Sequence, residues 1–114
     1  MSPSIATIMR FVVETDLASH AAWWLVDDEN HVVAWAGRTF VSLAYADQAA
    51  HDFRVNSDDP DYRVRTGAGG EWQWGAWRPE GVRVAVSGDW FPDAEAARDA
   101  ARRVRQLACT AIGP

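Results

Sequence analysis

The sequence has no lysine, a single cysteine, and no apolar run of the length that crosses a bilayer. Each absence removes a class of protein. With only Cys109 no intrachain disulfide can form, so the fold rests on its core and nothing points to an oxidising compartment. All basic residues are arginine, and sixteen acidic residues against eleven basic ones leave a net charge of −5. Non-specific nucleic-acid binding depends on a clustered positive field, so no nucleic-acid partner is expected. Without an apolar stretch of about 20 residues, no membrane-spanning helix is expected. Met1–Arg10 lacks the basic-then-apolar pattern of a secretion signal, which makes a cytoplasmic location the expectation. No HExxH motif, phosphate-cradling glycine loop or calcium-loop register occurs, so no cofactor and no metal site is expected.

What is present is an apolar, Trp-rich chain. Hydrophobic residues make up 48% of 114 positions, and seven of them are tryptophan. A chain of this length forms one domain, here 1–114, and buries roughly two-thirds of the surface its unfolded form exposes.

A shift of 51 residues aligns the chain with itself. Between Phe11–Arg54 and Tyr62–Arg105, twelve of 44 positions are identical, including Trp23/Trp74, Val33/Val84, Gly37/Gly88, Phe40/Phe91, Ala46/Ala97 and Ala50/Ala101. Chance would give about three. Two internal repeats, about 11–55 and 62–106 with a linker at 56–61, are therefore expected. The second repeat reads clearly. Tyr62–Thr66, Glu71–Trp77 and Val82–Ser87 alternate as strands do, separated by the turns Gly67–Gly70 and Pro79–Gly81. Asp93 then precedes a helix over Ala94–Ala108, as Ser42 precedes one over Leu43–Val55. Ala46, Ala49, Ala50 and Phe53, with Ala97, Ala100, Ala101 and Val104, mark one buried face on each helix. The alternation places Phe11/Tyr62, Val13/Val64, Trp23/Trp74, Val33/Val84 and Trp35/Val86 on the inward strand face. The fold class is thus α+β: two tandem β-β-β-α repeats with pseudo-two-fold symmetry, an antiparallel sheet packed by two helices.

The run from Trp72 to Gly88, then Phe91 and the Ala-rich helix, resembles the YegP-like family of small uncharacterised proteins. Asn30, Gly37, Phe40, Ser42 and Asn56 carry the resemblance in the first repeat. It implies the same tandem of β-β-β-α repeats and no particular activity. Family members commonly have a Ser-Lys pair before the helix. Here Val41-Ser42-Leu43 and Pro92-Asp93-Ala94 lack the lysine.

Candidate catalytic groups are scattered. His20, His31 and His51 fall on a turn, a strand edge and a helix without metal-ligand spacing. Asp27, Asp28 and Glu29, and Asp58, Asp59 and Asp61, read as solvated turn acids. Arg98, Arg102, Arg103 and Arg105 read as the wet face of the last helix, with Asp99–Arg103 and Glu95–Arg98 pairs. Cys109 has no activating partner in sequence. An enzyme would need a pocket assembled from residues such as His31, Asp27 and Arg38, and no enzyme is expected.

One feature exceeds what a core requires. Outward strand positions of the second repeat read Arg63, Arg65, Gln73, Arg83 and Ser87. Those of the first read Val12, Glu14, Ala22, Trp24, Val32 and Ala36, joined by Val26, whose counterpart is Trp77. A solvent-facing sheet does not ordinarily collect such residues. Val12, Trp24, Val26, Val32 and Trp77 are expected to form an interaction face, unless the N-terminal ten residues or the linker cover it. The functional expectation is a non-catalytic interaction or assembly module acting as a homodimer or with a protein partner. The alternative is a module that binds a small ligand or carbohydrate through exposed tryptophans.

Overall fold

The computed structural model describes residues 8–114 of the chain. The elements run β1 (Arg10–Thr15), β2 (Ala21–Val26), β3 (Val32–Trp35), α1 (Leu43–Val55), β4 (Asp61–Thr66), β5 (Trp72–Trp77), β6 (Arg83–Ser87) and α2 (Ala94–Leu107), closed by a 3₁₀ turn at Ala108–Thr110. The turns form for local reasons. At β1–β2 the Asp16 carboxylate accepts the backbone N–H groups of Ala18 and His20, both at 2.9 Å. At β2–β3 Asp27 does the same for Glu29 and His31, again at 2.9 Å. Ser19 and Asn30 close these two turns with positive φ, and Gly70 and Gly81 hold the positions 51 residues later. The left-handed conformation is the shared requirement, and glycine meets it without steric cost.

The six strands form one sheet in the order β1-β2-β3-β6-β5-β4, every neighbour antiparallel. The seam between β3 and β6 is short, pairing Ala34 with Ser87 and Trp35 with Val86. Both hairpins feeding it are irregular. Register shifts occur between Leu25 and Val26 against β3, and between Ala76 and Trp77 against β6. Each inserts an extra residue into the third strand, Val33 and Val84 respectively, and reverses the in–out alternation beyond it. The inward residues are therefore Ala34 of β3, Ala36 just after it, and Ala85 and Ser87 of β6, all buried. Trp35 and Val86 face outward, contrary to strict alternation, while Ala36 and Ser87 leave the expected wet face for the interior.

Both helices begin where expected. Ser42 Oγ accepts the N–H of Tyr45 at 3.2 Å and Asp93 Oδ1 that of Ala96 at 2.8 Å, each satisfying an otherwise orphaned donor. Ala46, Ala50 and Phe53, and Ala97, Ala101 and Val104, are buried. Ala49 and Ala100 are only half-buried at the edges of these faces. The small residues let each helix approach the sheet closely. Trp23 stacks on Phe53 with centroids 5.1 Å apart, and Phe11 meets Trp23 edge-on at 5.5 Å. In the second half Tyr62 tilts against Trp74 at 5.6 Å.

The chain end ties the halves together. Phe11 N–H donates to the Ile112 carbonyl at 2.8 Å and Ile112 N–H to the Met9 carbonyl at 2.9 Å. Arg54 Nε reaches the Pro114 carbonyl at 2.8 Å. The β1 edge is thereby partly covered, while the β4 edge carries exposed Arg63 and Arg65, charges that discourage edge-to-edge pairing.

Candidate interaction face

The sheet face opposite the helices is organised by register. A transverse row crosses all six strands as Val12, Trp24, Trp35, Val86, Gly75 and Arg63, each paired with the next. Beside it Val26 stands between Arg10 and Val32, and Trp77 between Asp61 and Arg83. The face thus has two halves of different chemistry. On β1–β3 it is a band of Val12, Trp24, Val32 and Trp35, all half-buried, around a buried Val26 at 6% exposure. On β4–β6 it is cationic.

Val26 is therefore part of the floor of the expected face and not of its accessible surface. Trp77 is on the same face but belongs to the other half. Its indole lies between Arg63 and Arg83, whose guanidinium carbons stand 6.0 and 5.9 Å from its ring. Arg83 also donates to the Gly37 carbonyl across the seam, at 3.1 Å. A side chain at Gly75 would come within 3.1 Å of Trp77 Nε1. Its absence leaves a shallow hollow of about 220 Å³ among Arg63, Arg65, Gln73, Trp77 and Arg83. Trp35 is the residue sequence reasoning missed, because the bulge that turns it outward has no mark of its own. The alternative that the N-terminus folds over the face falls mainly on Met1–Thr7, which lie outside the described residues.

Several of the scattered polar candidates have partners within the fold. His20 Nδ1 is 3.5 Å from Asp16, whose carboxyl is held below its ordinary range chiefly by the His20 backbone N–H. His31 Nε2 lies 2.7 Å from Asp89 Oδ2. His31 and Asp27 do line one cavity, but Arg38 lines another. On α2 the ion pair is Asp99–Arg102 at 2.6 Å, not Asp99–Arg103, and Arg105 pairs with Asp58 at 2.9 Å. Cys109 is exposed. Tyr62 donates to the Ser57 carbonyl at 2.6 Å, and burial pushes its phenol far above the ordinary tyrosine range. Among the described residues no group of three His, Cys, Asp or Glu side chains converges as a metal site would. None of their helices is long and apolar enough to cross a membrane.

No protein-family model and no curated protein matches the chain. Solved structures do. The solution structure of YegP from E. coli, a protein of unknown function, superposes with a TM-score of 0.74, covering 92% of this chain and 90% of its own. The fold is that of YegP. A UPF0339 protein from Shewanella oneidensis superposes at 0.72, covering 89% and 85%. Identities of 12% and 9% mean that the likeness lies in the YegP fold, as the sequence resemblance implied, and extends to no particular residue.

Proposed function

We propose that this chain, read as one domain of two internal repeats with pseudo-two-fold symmetry, is a non-catalytic assembly module. It pairs with a second copy through the outer face of β1–β3. The observation that carries the reading is the Val12–Trp24–Trp35 row, apolar on the side of the sheet that no helix of the described residues covers. The cationic character of the other half supports the same placement: a two-fold pairing sets apolar against apolar and keeps the arginines apart. Burying such a band removes several hundred Å² of apolar surface from water, a gross gain of many kcal/mol at about 25 cal/mol per Å². Association entropy offsets much of this, so micromolar affinity is expected. Trp24 stands at the centre, an aromatic of the kind that dominates interface energetics. Sedimentation velocity tests the reading: the wild type is expected to dimerise and Trp24→Arg to remain a monomer. A wild type that stays monomeric at high micromolar concentration removes the proposal.

A second reading, a module binding a small planar or carbohydrate ligand, draws support from the hollow beside Trp77. Its check is a saccharide titration followed by tryptophan fluorescence, with Trp77→Leu as control. A response absent from the wild type, or retained by the variant, ends it.

A further inference from the structure

On the helix side of the sheet, two grooves occupy positions related by the same 51-residue shift. The larger, about 480 Å³, lies between α1 and the β5–β6 turn. The smaller, about 170 Å³, lies between α2 and the β2–β3 turn. Their floors match: Phe40, Ala49 and Val84 in the first, Phe91, Ala100 and Val33 in the second. Their rims are inverted. Arg38, Asp52 and Arg78 of the large groove stand where the small one has Asp89, Arg103 and Asp27.

This inversion bridges the rims of the smaller groove and leaves those of the larger open. In the small groove His31 bonds to Asp89 at 2.7 Å, joining the turn on one rim to the loop before α2 on the other. The matching positions in the large groove are Val82 and Arg38, which cannot make that bond. Arg38 instead lies over the Phe40 ring, 4.7 Å from its centroid. Arg38 and Arg78, with Asp59 and Glu80, line the open groove, and among the described residues none of the four side chains is in an ion pair or side-chain hydrogen bond. The volume falls in the range of small-molecule sites, and an apolar floor with a few charged groups at the rim is their usual composition.

We propose that the open groove binds a small zwitterion with an apolar body, of the size of an aromatic amino acid or an apolar dipeptide. Its carboxylate faces Arg38 and Arg78, its ammonium faces Asp59 and Glu80, and its apolar part lies over Phe40 and Val84. Asp52 and Arg83 also line the groove but are already bonded, to Gln48 and to the Gly37 carbonyl, and the balance of the four unengaged charges selects this class. A monoanion would leave the two carboxylates unanswered, and a monocation the two guanidiniums. This site is separate from the outer face, so the two proposals stand or fall independently.

The test is a ¹H–¹⁵N NMR titration of the full chain with L-phenylalanine, 3-phenylpropionate and 2-phenylethylamine. These share a ring and differ only in which charges they carry. Phenylalanine is expected to give saturable shifts at Ala36, Phe40, Ala49 and Val84, with affinity about tenfold above either analogue, as the loss of one good charge contact implies. Arg38→Gln and Glu80→Gln are exposed-site changes and should each weaken binding by a similar factor. No saturable shift at tens of millimolar, equal affinity for an analogue, or shifts centred on Trp77 would each overturn the proposal.

Discussion

Substituting Gly88 by alanine probes the narrow seam on which the sheet depends. Gly88 follows β6, and its N–H donates to the Val33 carbonyl at 3.3 Å. Its φ lies outside the left-handed region, so conformation is not what requires glycine there. Space is. A Cβ would sit 2.1 Å from the Val32 carbonyl oxygen and 2.8 Å from both Val32 C and Cγ1. Even a 3.0 Å contact, the closest that real Cβ atoms come, would require the backbones to part by about 0.9 Å (3.0 minus 2.1). Only two residue pairs join β3 to β6 beside this point. We expect loss of the hydrogen bond, about 1 kcal/mol, and overpacking strain of about 2 kcal/mol, roughly 3 kcal/mol together. Gly81→Ala is the control. Its φ of +86 penalises a side chain, but nothing lies within 4 Å of the new methyl, so the cost is about 1–2 kcal/mol. Urea unfolding of the two variants gives the comparison. A Gly88→Ala protein no less stable than Gly81→Ala would refute the steric account of the seam.

Two further predictions concern the helix side. Ala50→Asp and Ala101→Asp each bury an unpaired carboxylate against the sheet and should cost about 3–5 kcal/mol. Ala44→Asp, exposed in the first turn of α1, should be neutral or slightly stabilising. Equal melting temperatures for Ala50→Asp and Ala44→Asp would show the helix face to be misassigned. For Tyr62, burial and the bond to Ser57 favour the neutral phenol, so its folded pKa is raised. The stabilisation is fully present below the unfolded value, about 10, and is lost as pH rises above it. Tyr62→Phe should therefore cost about 1 kcal/mol at pH 7 and flatten the fall in stability above pH 10. Parallel stability–pH curves for the two proteins would contradict this.

The helices were legible because their signals are local. Ser42 and Asp93 are caps, and the spacing of Ala46, Ala50 and Phe53 fixes the face, so α1 has the expected limits of Leu43–Val55. The second helix ends one residue early because Ala108 enters the 3₁₀ turn. Strand positions were legible for the same reason, and their parity was not. Val32 and Val33 are chemically alike, so nothing in the chain marks Val33 as the extra residue of a bulge. Trp35 and Ala36 consequently exchange their expected faces. That error changes the candidate face, since Trp35 widens the apolar band and Ala36 leaves it. The grooves were hidden for a different reason. His31 and Asp89 are far apart in sequence, and their contact exists only because β3 and β6 meet at the seam.

The central claim, that two copies meet through the outer face of β1–β3, is tested most directly by isotope-filtered NOE spectroscopy on a mixed sample. Labelled and unlabelled chains are combined, and only contacts between copies are recorded. Pairing through this face is expected to give intermolecular NOEs linking the indole protons of Trp24 and Trp35 to the methyl groups of Val12 and Val32. A sample that sediments as a dimer yet shows its intermolecular NOEs at the helices, or on the arginine-bearing strands, would contradict it.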